Sequence, residues 1–119
     1  VTFLGTPNKE LLVNLLEFFC TKDEKGIMKV FNSLEESKGV ALRAYDDFIE
    51  LVRQGLLIRI GGESEDKVLS KIAIEYPYAI SSKTILGLLE KRYLLEVSTQ
   101  HAWTAFASVL LLLAEERIK

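Results

Sequence analysis

The chain of 119 residues is poor in the residues that usually carry chemistry. It has a single cysteine, Cys20, so no internal disulfide can form, and the composition fits a reducing compartment. With Phe18 and Phe19 beside it at the end of a helix, Cys20 reads as a small buried hydrophobe. His101 is the sole histidine, and without a second histidine or a cysteine at ligand spacing it is a poor metal ligand. Its place at the start of the last helix suggests capping or packing. Gly61-Gly62 lacks the GxxxxGK[ST] pattern and does not lead from a strand into a helix, which excludes that mode of nucleotide binding. No cluster of lysine and arginine interleaves with aromatics, so the usual footprint of nucleic-acid binding is missing. The apolar stretch Ala102 to Ala114 near the end carries no charge but is shorter than the roughly 20 residues that span a bilayer.

What is present is helical. Hydrophobic residues make up 49% and charged residues 27% of the chain, with a formal net charge of −2, a globular and not a disordered balance. Apolar residues recur at spacings of three and four, and β-branched alternation is absent apart from the ambiguous run Leu56 to Ile60. The expected architecture is all-α, a single bundle of about six helices spanning residues 1–119. Thr6 and Pro7 open the first helix, which runs to about Cys20 with Glu10, Asn14 and Glu17 as its only wet stripe. Thr21 and Glu24 match a capping box for a second helix, and Gly39 is placed to end it in a left-handed cap. The third helix, about Val40 to Ile60, buries Leu42, Tyr45, Ile49, Val52 and Leu56. Gly55 lowers its helicity by about 1 kcal/mol relative to alanine, and Gly61-Gly62 stops it. Ser64 or Glu65 opens a short fourth helix to about Ile74. Pro77 breaks helical geometry at Tyr76, and Ser81 or Ser82 caps a fifth helix to about Val97. The sixth starts near Ser98.

Three features could carry function. Asp46, Asp47 and Glu50 place carboxylates along the third helix, where they could serve acid–base chemistry or Mg²⁺; Arg43 and Arg53 at helical spacing read more simply as their surface partners. Tyr76 and Tyr78 around Pro77 either pin the connector to the bundle or present an aromatic patch to a partner. The last helix is apolar nearly all round, which a surface helix is not. Its Trp103, Phe106, Leu110 and Leu113 face is expected against the first and third helices. The smaller face, Ala102, Ala105, Val109 and Leu112, is the candidate contact for a neighbouring subunit.

The order of these features resembles a known family. Val1-x-x-Leu4-Gly5, Glu10-Leu11-Leu12-x-x-Leu15-Leu16, an acidic break at Asp23, Ser37-Lys38-Gly39-Val40, and Asp47-Phe48-Ile49-Glu50-Leu51-Val52-Arg53-x-x-Leu56-Leu57 look like the third domain of the bacterial DNA polymerase III γ/τ clamp-loader subunit. The oligomerisation domains of clamp-loader-like recombination and repair ATPases are the alternative. The resemblance implies an assembly domain with no catalytic, cofactor or metal residues of its own. Five such domains pack into a collar that tethers the AAA+ modules. ATP and Mg²⁺ belong to those preceding modules, which make the parent an ATPase subunit of the polymerase. Partners would be other γ/τ copies, δ and δ′, with the sliding clamp and primed DNA reached through the complex and no membrane involved. The absence of an initiator Met and of a signal-peptide pattern at Val1 reads as a fragment of a longer cytoplasmic polypeptide. A self-contained helical enzyme or ligand-binding domain using Asp46, Asp47 and Glu50 is the reading from a different class.

Overall fold

A computed structural model describes residues 6–36, 39–62, 66–97 and 99–116, with only the backbone described at residues 6–8 and 99. The described residues form α-helices joined by short turns, with no strand among them. The helices are α1 (Thr6–Thr21), α2 (Glu24–Glu36), α3 (Ala41–Arg59), α4 (Lys67–Glu75), α5 (Ser82–Lys91), α6 (Tyr93–Val97) and α7 (Ala102–Glu116), the last entered through a 3₁₀ turn at Thr99–His101. The single fifth helix expected from sequence is therefore two, broken at Arg92. The break is slight. Arg92 keeps right-handed helical angles (φ −58°, ψ −32°), and its N–H donates to the Leu89 carbonyl at 3.3 Å, a local 3₁₀ tightening.

Local chemistry sets the boundaries. The capping box at Thr21 does not form. The Thr21 hydroxyl instead donates back to the Phe18 carbonyl at 3.2 Å, and Asp23 caps α2 by accepting from the Gly26 N–H at 3.0 Å. Between them Lys22 takes a left-handed conformation (φ 60°), which turns α1 into α2 in two residues. Asp66 caps α4 through the Leu69 N–H at 3.1 Å; the Ser64 or Glu65 start falls on residues outside those described. The Gly39 cap adjoins residues 37 and 38, and the Thr6 cap rests on a side chain, so both also lie outside the description. Ser81 caps α5 as expected, accepting from the Thr84 N–H at 3.3 Å. Gly61, at φ +116°, ends α3, with the Gly62 N–H closing on the Leu57 carbonyl at 2.8 Å.

The core gathers around Phe106 of α7. Its ring meets Phe31 of α2 at 4.8 Å, Tyr45 and Phe48 of α3 at 5.1 and 5.9 Å, all edge-on, and stacks on Trp103 at 6.3 Å. Edge-to-face pairs at these distances add about 0.5–1.5 kcal/mol each beyond area burial. Beside the first and third helices expected from sequence, both of which pack against α7, α2 joins this face through Phe31. Trp103 is only half-buried, at the rim of the cluster. The buried seam of α3 is also rotated from expectation. Tyr45 and Val52 are fully enclosed, Leu42, Ile49 and Leu56 sit at its edges, and Ala44, Phe48, Leu51 and Gly55 complete it. Gly55 is a point of close approach: a Cβ there would lie 3.0 Å from Cγ2 of Ile80. Its cost in helicity is set against the packing of the α4–α5 connector onto α3. Cys20 is buried at the end of α1.

Candidate functional site: an apolar furrow along the last helix

The carboxylates of α3 separate. Asp46 faces α5–α6, where Arg92 grips it with both arms of its guanidinium, Nε to Oδ1 at 2.7 Å and Nη2 to Oδ2 at 2.8 Å. Arg92 also donates to Glu96 at 3.0 Å. This hydrogen bonding holds the Asp46 carboxyl below the usual carboxylate range. Glu50 is held low in the same way by Arg53, at 2.9 and 2.5 Å, and accepts from Gln54 at 3.2 Å. Asp47 lies 3.9 Å from Arg43. Asp47 and Glu50 do line a shallow hollow of about 260 Å³ with Lys9, but among the described residues no three metal-ligating side chains converge. Three carboxylates engaged by three different arginines are surface ion pairs, with no shared proton or cation position between them.

Arg92 and Tyr45 together tie α5–α6 to α3. The Tyr45 hydroxyl donates to the Leu88 carbonyl near the end of α5, satisfying an acceptor that the helix break would otherwise orphan. Burial of this phenol raises its pKa far above the ordinary tyrosine value. Leu88, Thr84 and Leu95 face the core from α5 and α6.

The opposite side of the same two helices is apolar too, and it is open. Leu86, Leu89, Tyr93 and Val97 are 65%, 50%, 55% and 74% exposed. Their spacing of three, four and four makes one continuous outward stripe. Beside it, hollows of about 300, 560 and 420 Å³ follow one another between α7 and α5–α6, adjacent ones sharing Lys83 and Leu113 or Lys91. The stripe and the furrow form one surface. Scattered exposed apolar residues are ordinary, whereas a row of four beside a furrow is a mark of interaction sites.

This surface divides the residues singled out from sequence. Ala105 and Leu112 line the open furrow; Val109 forms its buried floor; Ala102 is enclosed. Tyr76 packs half-buried against the core, while Tyr78 is exposed beside the hollow at the start of α5. His101 is exposed at the furrow mouth and not packed away. The stripe itself was missed, although its periodicity was present: a row at that spacing on a capped helix reads as core until the packing shows which side is covered. No helix among the described residues is long and apolar enough to cross a membrane. Neither protein-family models, curated proteins nor solved structures gave a match to this chain.

Proposed function

We propose that the chain is an assembly domain, the collar segment of a γ/τ-type clamp-loader subunit, which holds neighbouring subunits together and leaves ATP chemistry to modules elsewhere in the parent. One observation carries this reading: α5–α6 is apolar on both sides, with one side in the core and the other exposed beside a furrow along α7. A helix pair with apolar rows on two opposite sides needs a neighbour on each side to cover both. The resemblance in the order of motifs from Val1 to Leu57 supports the family reading, which would make γ/τ copies, δ and δ′ the neighbours. A collar segment meets different neighbours on different faces, and such heterologous contacts call for more apolar surface than the fold itself can enclose. The exposed Leu57, Ile60, Val68 and Ile74 on α3, its end and α4 provide apolar surface away from the furrow. The pairing of Asp46, Asp47 and Glu50 with arginines speaks against the enzyme reading.

Mixing the chain with δ and δ′ and following the mixture by light scattering tests the proposal. The expected result is a complex heavier than any component. Failure to join δ, δ′ or a γ/τ copy at any concentration would falsify it.

A further inference from the structure

The outward stripe has charges on its flank, and their order selects an occupant. Lys83 and Glu90 are both exposed, and they stand seven residues apart on α5. Seven residues are two helical turns, about 10 Å, so the two charges share one side of the Leu86–Leu89 row. In a parallel two-fold pairing the same flanks of the two copies lie on opposite sides of the seam, and these charges would not meet. An antiparallel pairing about a two-fold axis sets each lysine against a glutamate, twice. The same axis, midway between residues 83 and 90, puts Leu86 and Leu89 of both copies at the centre. It carries Tyr93 and Val97 of each copy past the start of the other's α5, where Tyr78 is exposed beside its hollow. The neighbouring, half-buried Lys91 lies 3.6 Å from Glu90, whose own side chain stays mostly exposed.

We propose that the occupant of this face is a second copy of the same chain, its α5–α6 laid antiparallel across the first, with Lys83 of each copy meeting Glu90 of the other. This deepens the assembly reading and rests on it. It also makes this one contact isologous, in which one patch meets itself, and so distinct from the contacts that propagate a ring. The tie of α5–α6 to α3 through Arg92 and Asp46 holds the stripe in place before the copies meet, which lowers the ordering cost of association.

Sedimentation equilibrium of the 119-residue chain and four variants tests the pairing, with melting curves that match wild type showing that each variant is folded. Lys83→Glu alone and Glu90→Lys alone each create two like-charge contacts, and each is expected to weaken association roughly tenfold. The double variant restores the pairs in reverse order and is expected to return to within about twofold of wild type. Leu89→Asp, at the centre, is expected to weaken association by about a hundredfold. A double variant as weak as the singles, or a Leu89→Asp chain that associates like wild type, overturns the proposal. So does a wild-type chain that stays monomeric; if that monomer still joins δ and δ′, the assembly reading stands and only the symmetric pair is lost.

Discussion

The two sides of α5–α6 carry similar residues and meet different fates. On the inner side Thr84, Leu88 and Leu95 are buried against the bundle, and Tyr45 and Arg92 fasten the helix pair to α3. On the outer side Leu86, Leu89, Tyr93 and Val97 stand in solvent beside a furrow. Nothing in hydrophobicity separates leucine from leucine here. What separates them is the polar anchoring to α3, which among the described residues lies on the inner side and fixes which face of the helix points inward. The outer row is left available, and a row of that kind stabilises the molecule only when something else covers it.

Substitutions can break this contrast in order of expected effect. Phe106→Ala empties the centre of the ring cluster and is expected to lose about 3–5 kcal/mol of stability in chemical denaturation. Trp103→Ala, at the half-buried rim, is expected to cost at least about 1 kcal/mol less; equal losses would mean that Trp103 is as central as Phe106. Tyr45→Phe removes the donor to the Leu88 carbonyl and is expected to cost about 1–2 kcal/mol. A stability unchanged from wild type would show that the break between α5 and α6 does not depend on α3.

Asp46→Asn acts more weakly and reveals itself through pH. The folded state holds the Asp46 carboxyl below its unfolded value, so the ion pair contributes fully above about pH 4 and is lost as pH falls through the folded value. Wild type is therefore expected to melt above the variant at neutral pH, by a few degrees at most, with the two curves converging in acid. A gap that persists in acid would show that something other than ionisation sets it. Smallest of all is Leu89→Ser, expected to change monomer stability by no more than about 0.5 kcal/mol. The same change on the inner side, Leu88→Ser, is expected to lose several times that in the same denaturant titration, because it places a hydroxyl in an apolar site.

Much of the fold was legible because it is local. The wet stripe of Glu10, Asn14 and Glu17 is exposed, and Ser81 caps the helix that follows it. The Asp23 cap was less legible, since Thr21, Asp23 and Glu24 all offer capping groups within four residues. The choice fell to the left-handed turn at Lys22, which leaves Asp23 facing the next N–H groups. The candidate contact was partly legible. Leu112 and Ala105 face the furrow, but Val109 and Ala102 are enclosed because α7 has neighbours on more than one side.

By itself the sequence determined the helices, most of their ends, and the excess of apolar surface over what a small bundle needs, since periodicity and capping depend on residues within a turn or two. The tertiary structure alone decided which apolar row was covered. It brought Arg92 to Asp46 across 46 residues, set Ile80 against Gly55, and turned Leu88 in and Leu89 out. The physical reason is that burial belongs to pairs of surfaces: a single helix presents its faces, and only its neighbours choose between them.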